Sequence, residues 1–354
     1  MANSSDTINK ALVGITTPDG KPLAGVDIVV AGDRVTASIA IDPTDAARWE
    51  PIRRQAEARI AAVPGVVRAL VSLTAERLAD AAKPAAKPIT NLAPGFPNLA
   101  KIKHIIAVAS GKGGVGKSTT ACNLALTLRA QGLRIGILDA DIYGPSMPKL
   151  LNLKGRPNVV PGSAGGRTLS PLEAYGCKVM SIGFVVDVDK ALVWRGPMVA
   201  SAITQMLRDI AWGPLDVLIV DMPPGTGDAQ LTLAQSVPLA GAVIVSTPQD
   251  LALIDARRGV EMFQTVGVPI LGLIENMSYF LCDQCGKRHE IFSHGGARME
   301  ATKLGVPFLG EIPLDLAIRQ RADSGLPIVV TEPDGPQAEV YRGIATAMMA
   351  GLSG

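Results

Sequence analysis

Gly111-Lys112-Gly113-Gly114-Val115-Gly116-Lys117-Ser118 is the stretch that decides the fold of this 354-residue chain. It fits G-x-x-x-x-G-K-[ST], follows an apolar strand-like run at 104–109 and opens a helix-like run at 119–129. A strand, a glycine-rich turn and a helix in that order separate a phosphate-binding loop from a chance match. The glycines let successive N–H groups of 111–116 point inward at phosphate oxygens, and the following helix adds the positive end of its dipole. Lys117 is expected to reach the β- and γ-phosphates, Ser118 to coordinate Mg²⁺, and Thr119 to complete the nucleotide-binding set.

Two further strand ends supply carboxylates. Residues 135–138 read as a buried parallel strand with Asp139-Ala140-Asp141 at its carboxyl end, and 215–220 as another, followed by Asp221-Met222-Pro223-Pro224-Gly225-Thr226-Gly227-Asp228. Ligands of open α/β sheets bind beyond the carboxyl ends of the strands, so the three loops should converge on one nucleotide. Asp221 is expected to hold Mg²⁺, Asp139 to support the metal shell and Asp141 to orient the attacking water. The Gly225 N–H should approach the γ-phosphate as a switch loop does. A lone Asp at a strand end is as readily a helix N-cap; the agreement of three loops favours the chemical roles.

An ordinary phosphate loop uses only Lys117. The additional Lys112 gives K-G-G-x-G-K-[ST], which resembles the deviant Walker ATPases, a dimerising class that includes nitrogenase iron protein, MinD and ParA. The resemblance implies that Lys112 crosses a homodimer interface to the other subunit's nucleotide and acts like an arginine finger supplied in trans. A local anion contact is the simpler alternative.

Composition sets the frame. Apolar residues at 47% support a sizeable core, while 4% aromatics offer no stacking platforms for nucleic acid. A formal net charge of +2 gives no field favouring nucleic acid or an anionic membrane. The first residues show no charged head followed by an apolar core, and apolar runs stay at strand length, so neither a secretory signal nor a membrane span is expected. Four cysteines without a framework of spacings fit a reducing, cytoplasmic setting. An Ala/Pro/Lys-rich linker at 81–103, with Pro84, Pro88, Pro94 and Pro97, divides a small α/β domain at 1–80 from an ATPase domain at 104–354. In the first, strands at 26–31 and 34–41 flank the turn Gly32-Asp33, and a helix at 46–62 precedes a strand at 66–73. In the second, strands (177–182, 241–246, 269–274) alternate with helices (198–210, 251–265). That alternation predicts a mostly parallel sheet covered by helices on both faces.

Cys282-Asp283-Gln284-Cys285 is the second decisive feature. Two cysteines at this spacing chelate one metal or one cluster edge, but a thiolate site usually takes four ligands. Cys122, in the helix after the phosphate loop, and Cys177, opening a buried strand, read as small core residues. Two copies meeting on a twofold axis would supply four thiolates, which suits a [4Fe–4S] cluster shared between subunits. His289 and His294 follow and give C-x₂-C-x₃-H-x₄-H, so a Cys₂His₂ zinc site within one chain is the rival, and a redox CxxC the third reading.

Taken together, the chain resembles the Mrp/ApbC family of iron–sulfur cluster carrier ATPases. The resemblance rests on 111–119, Leu138-Asp139-Ala140-Asp141-Ile142-Tyr143-Gly144-Pro145-Ser146, Trp194-Arg195-Gly196-Pro197-Met198, 221–228 and Glu275-Asn276-Met277-Ser278 leading into the CxxC. It implies a homodimer that bridges a [4Fe–4S] cluster through Cys282 and Cys285, receives it from upstream scaffold proteins and passes it to apoproteins. It also implies slow ATP hydrolysis that gates loading or release, and an adenine contact from Asn276 with Pro313 to Asp315 nearby. The small N-terminal domain departs from the family: Thr17-Pro18-Asp19-Gly20 and Asp42-Pro43-Thr44-Asp45 stand where a T-P-x-C-P-like turn and a D-P-E motif are typical, and no cysteine precedes Cys122. A docking or regulatory role is expected of it. The C-terminal run 341–350 carries one basic residue and reads as a packed helix, unlike a membrane-binding amphipathic one. The competing reading is a dimeric deviant Walker ATPase with a structural zinc site and a partitioning or positioning role.

Overall fold

The computed structural model describes residues 5–23, 26–31, 34–41, 45–66, 68–75, 98–161, 167–185, 202–203 and 205–352. The Gly32-Asp33 turn, the segment Asp42-Pro43-Thr44, linker residues 81–97 and the Trp194-to-Met198 segment lie outside the described residues. The chain separates into two compact units, Met1–Lys87 and Pro88–Gly354.

In the first unit, α1 (Ser5–Leu12), β1 (Val26–Ala31), β2 (Arg34–Ile41), α2 (Ala46–Ala61) and β3 (Arg68–Ala75) form a three-stranded sheet, order β1-β2-β3, with helices. β1 pairs antiparallel and β3 parallel to β2. Period-two burial of Val35, Ala37, Ile39 and Ile41 on β2 meets Ile52, Ala56 and Ile60 on α2, spaced four apart on one helical face. Ile8 and Leu12 of α1 close this core.

The second unit holds an eight-stranded sheet of order β15-β12-β11-β4-β10-β5-β9-β8. Its strands are β4 (Ile102–Ala109), β5 (Ile135–Asp139), β8 (Leu172–Ala174), β9 (Cys177–Ser181), β10 (Leu215–Asp221), β11 (Gly241–Ser246), β12 (Ile270–Glu275) and β15 (Phe308–Glu311). Seven run parallel, and β8 is an antiparallel edge on β9. Central β4, β10 and β11 are apolar nearly throughout and buried on both faces, as parallel strands under two helical layers must be. The helices are α3 (Lys117–Ala130), α4 (Met147–Leu150), α5 (Asp228–Ser236), α6 (Asp250–Thr265), α7 (Gly296–Leu304), α8 (Leu316–Ser324), α9 (Ile328–Thr331) and α10 (Pro336–Ala350). Two small ribbons, β6 (Val159–Pro161) with β7 (Arg167–Leu169) and β13 (Phe280–Leu281) with β14 (Arg288–His289), stand apart from the main sheet. Leu99 sits in this unit's core and β4 begins at Ile102, so residues 98–103 pack with the second unit. The terminal α10 buries Ala338, Tyr341, Ile344, Ala345 and Met348 along one face. Among the described residues, no helix is long and apolar enough to cross a membrane.

Candidate functional site

Three neighbouring strands, β4, β10 and β5, deliver their carboxyl ends to one place. β4 leads into the glycine loop, β10 ends at Asp221 and β5 at Asp139, with Asp221 in register opposite Asp139. Gly116 has φ 83°, a left-handed conformation that β-carbon-bearing residues rarely adopt, and lets the chain turn directly into α3. A Cβ there would stand 2.1 Å from the Asn276 amide nitrogen. Gly111 is required by closeness instead: a Cβ would lie 2.2 Å from the backbone of Asp255 on α6.

The structure brings Lys117, Ser118, Asp139, Asp141 and Asp221 together. Lys117 is 6% exposed, and its ammonium donates to Asp221 Oδ1 at 2.6 Å and to Ser118 Oγ at 3.2 Å, with Asp141 Oδ2 at 3.7 Å. One ammonium thus faces two buried carboxylates. Burial pushes Asp139 up to about 7, helped by the charge of Asp221 and opposed by Met147 N–H, the Ser181 hydroxyl and Lys117. Burial also raises Asp141 and Asp221, in both cases against the pull of Lys117.

Asp139 is nearly saturated. Its Oδ2 accepts from Ser146 N (2.9 Å), Met147 N (3.0 Å) and Ser181 Oγ (2.9 Å), and its Oδ1 from Asp141 N (3.2 Å). It therefore shapes the 140–147 loop and caps the start of α4. Asp141 Oδ1 accepts from Gly144 N at 3.2 Å. Asp221 Oδ2, by contrast, is fully buried with no hydrogen-bond partner. An orphaned buried carboxylate oxygen is costly, and with the Ser118 hydroxyl beside it the pair forms a hard oxygen donor set that fits Mg²⁺.

The remaining loop residues fall around this centre. The Gly225 N–H donates to Ser110 O at 2.9 Å, and Gln230 Nε2 holds Pro224 O, so the switch loop is fastened to the end of β4. Reaching a γ-phosphate requires that bond to exchange. Asn276, 8% exposed, donates through Nδ2 to Val115 O at 2.8 Å and so braces the glycine loop from beneath. Asp315 caps α8 through Ala317 N and Ile318 N and also accepts from Gln337. Thr119 is half-buried on the first turn of α3. Lys112 is half-buried, and among the described residues its ammonium has no hydrogen-bond or ion-pair partner, unlike that of Lys117.

Cys282 and Cys285 occupy the turn of the β13–β14 hairpin. Cys282 N donates to Lys287 O (3.0 Å) and Gly286 N to Cys282 O (2.8 Å), with Gly286 at φ 68°. Cys282 is half-buried and Cys285 exposed. The backbone N–H groups of Cys285 and Gln284 face the Cys282 sulfur and, with the Cys285 thiol, lower its pKa, which favours the thiolate that binds metal. Cys122 and Cys177 are buried in the core, and desolvation pushes the Cys177 thiol up to about 12 and Cys122 higher still.

In this structure the residues of the single-chain zinc reading are not gathered into one ligand group. Among the described residues no three His, Cys, Asp or Glu side chains gather where they could hold a metal ion. Arg288 Nη2 lies 2.9 Å from His294 Nδ1 and 3.2 Å from Nε2. Arginine only donates, so an imidazole lone pair is taken. His289 is exposed on β14, with its ring 6.4 Å from Phe280. Sequence spacing gives no sign of the parts played by Ser181, Ser110 and Gln230, nor of the bonds that join Glu275, Ser278, His294 and Arg288. The 275–278 motif and the His294 spacing mark members of that group without showing that they touch.

A parallel sheet with a glycine loop between its central strand and a helix, facing two carboxylate-bearing strand ends, defines a P-loop NTPase. Residues 101–349 match the model of a family described as NUBPL iron-transfer P-loop NTPase, and the chain belongs to that family. Residues 5–71 match a model described as iron–sulfur cluster assembly protein. The iron–sulfur cluster carrier protein of Synechocystis is 44% identical over 328 residues, covering 92% of this chain and 90% of its own length. The iron–sulfur cluster transfer protein NUBPL of Dictyostelium discoideum is 54% identical over 251 residues, 71% of this chain and 77% of its own. A solved nucleotide-binding protein from Archaeoglobus fulgidus, in complex with ADP, superposes with a TM-score of 0.59 at 41% identity, covering 69% of this chain and 94% of that one. The cell division ATPase MinD of Pyrococcus furiosus shares the fold, with a TM-score of 0.54 at 22% identity over 70% of this chain and 99% of its own.

Proposed function

We propose that this chain is an ATP-hydrolysing carrier that holds a [4Fe–4S] cluster between two copies of itself and releases it to apoproteins. The observation that carries the reading is the CxxC: one chain presents a half-buried and an exposed thiol on one turn, with backbone N–H groups aimed at the first sulfur and no third ligand among the described residues. A second copy supplies the missing pair. The names of the relatives support the same cargo.

In the nucleotide site, phosphate oxygens would compete with Asp221 and Asp141 for the Lys117 ammonium. Ser118 and Asp221, with Asp139 supporting them, are the residues that would hold Mg²⁺, which supplies charge neutralisation at the phosphates. Asp141, raised by burial, would orient the attacking water and accept its proton. Gly225 would leave Ser110 to donate to the transferred phosphoryl group. The Lys112 ammonium, without a side-chain partner among the described residues, would serve the other subunit's nucleotide. Asn276 would contact the adenine in addition to bracing the loop. Closure driven in this way shifts the dimer only by the difference in ATP affinity between its open and closed forms. We assign the N-terminal unit to docking; a pull-down with and without residues 1–80 tests this, equal recovery of bound proteins rejecting it.

The test of the whole reading is cluster transfer from loaded protein to a [4Fe–4S]-requiring apoenzyme, with and without Mg²⁺-ATP. Wild type should change rate with ATP. Lys117→Ala should lose phosphate release by about a hundredfold or more and lose the ATP effect while retaining cluster. Equal transfer rates with and without ATP in wild type reject the coupling.

A further inference from the structure

The β13–β14 hairpin is too small to hold its own geometry. It has two residues per strand and two pairings, Phe280 with His289 and Leu281 with Arg288. Isolated two-stranded ribbons are marginal in water even at greater length. Its orientation must come from what grips it, and Arg288 is the main grip. The guanidinium stacks over the Tyr279 ring at 3.9 Å, pairs with Glu311 at 3.2 Å and donates to the His294 ring.

His294 leads back into the nucleotide unit. Its Nδ1 lies 3.2 Å from Ser278 Oγ and 3.8 Å from Glu275 Oε1. Glu275 is fully buried and accepts from Ser278 Oγ (2.6 Å), Gly295 N (2.9 Å) and Ala297 N (2.7 Å). It adjoins Asn276, whose amide holds Val115 of the glycine loop. At the other end, the carbonyl of Lys287, next to Arg288, accepts from Cys282 N. A contiguous line of bonded groups therefore joins the phosphate loop to the CxxC within one chain.

We infer that Arg288 and His294 are a positioning pair that sets the CxxC hairpin against the nucleotide loop and transmits the state of that loop to the cysteines. The inference rests on the carrier reading for its purpose, but not for its test. Energetic coupling of this kind runs through packed and hydrogen-bonded groups with two arrangements. Asn276 supplies the mechanical link: it cannot stay against Val115 if the loop reshapes around phosphate without Glu275 and its bonded partners following.

The experiment uses the metal-free full-length chain. Cys122 and Cys177 are buried, so alkylation by iodoacetamide reports Cys282 and Cys285. Rates are measured without nucleotide, with ADP and with a non-hydrolysable ATP analogue, resolved by peptide mass spectrometry. Wild type should show a nucleotide-dependent change of about fivefold or more, the low end of ordinary coupling. Arg288→Lys keeps the charge but loses the planar fork and the ring stack. It and His294→Gln should bring the ratio close to one while nucleotide affinity, measured by titration, stays near wild type. Arg298→Ala is the control: Arg298 stacks on Phe308 and reaches His294 only through Glu311, whose Oε1 lies 3.2 Å from Arg298 and 3.9 Å from His294 Nε2, so its ratio should largely persist. A wild-type ratio preserved in both Arg288→Lys and His294→Gln overturns the inference. So does a wild-type rate indifferent to nucleotide, and neither result bears on whether the cysteines bind a cluster.

Discussion

The two working regions of this molecule are built on opposite plans. The nucleotide site lies at the ends of the most buried strands, where Lys117, Asp139 and Asp221 are almost wholly removed from solvent and bonded to one another or to backbone. The CxxC lies on a two-residue-strand hairpin with Cys285 exposed and Arg288 as its chief tie. A site that must hold a polyphosphate in one geometry gains from rigid, preorganised donors. A site that must receive and surrender a cluster gains from exposed ligands that are incomplete until another molecule arrives. On the proposed reading, chemistry belongs to the core and cargo to the rim.

The sharpest way to break the comparison is to remove one region and ask whether the other survives. Changing Cys282 and Cys285 to Ala should abolish cluster binding in anaerobic reconstitution while ATP turnover stays within about twofold, since neither thiol bonds to the nucleotide site. A large loss of turnover would mean the regions are not separable. Lys112→Ala should lower phosphate release by about a hundredfold or more if it acts as a finger. Mixing it with Lys117→Ala should then restore about a quarter of wild-type turnover, because half the dimers pair one intact loop with the other subunit's Lys112. No recovery on mixing would make the Lys112 contact local.

Smaller effects sharpen the account of the buried region. Asn276→Ala removes the brace under Val115, and nucleotide affinity measured by calorimetry should fall about tenfold, as loss of a buried hydrogen bond implies. An unchanged affinity would remove Asn276 from the site. Stability of the nucleotide-free chain should depend on pH in a definite direction. Asp139 titrates near 7 when folded, against 3.8 in the ordinary range, so the folded state holds a proton the unfolded state has lost between those values. Stability contributed by the protonated form is therefore present below about 4 and lost as pH rises toward 7. Asp141 and Asp221 are raised too and push the same way. Thermal melting should show a fall over this window that Asp139→Asn reduces; a rise unaffected by Asp139→Asn would contradict the assignment.

Much of this was legible because it is written in local spacing. The glycine loop, the strand-end carboxylates and the CxxC are each defined within a dozen residues, and their convergence follows from parallel-sheet topology. What escaped is set by contacts distant in sequence. Asp139 reads as supporting the metal shell, and spacing does not disclose that Ser146, Met147 and Ser181 also bond its Oδ2 and hold the carboxylate in place. His289 and His294 carry plausible zinc spacing, but spacing does not reveal that Arg288 claims the His294 ring. The short α1 went unread because Ile8 and Leu12 make only one turn's worth of apolar pattern, which becomes meaningful once α2 packs against it. The antiparallel β8 edge is three residues long, below what alternation can disclose.

The central claim is that two half-sites make one cluster site. Its most direct measurement is anaerobic reconstitution with iron and sulfide, followed by iron and sulfide analysis and light-scattering mass on the same sample. The account predicts about four irons and four sulfides per dimer, with Cys282→Ala/Cys285→Ala colourless. A colourless wild type retaining one zinc per monomer, or a loaded species with the mass of a single chain, would contradict it.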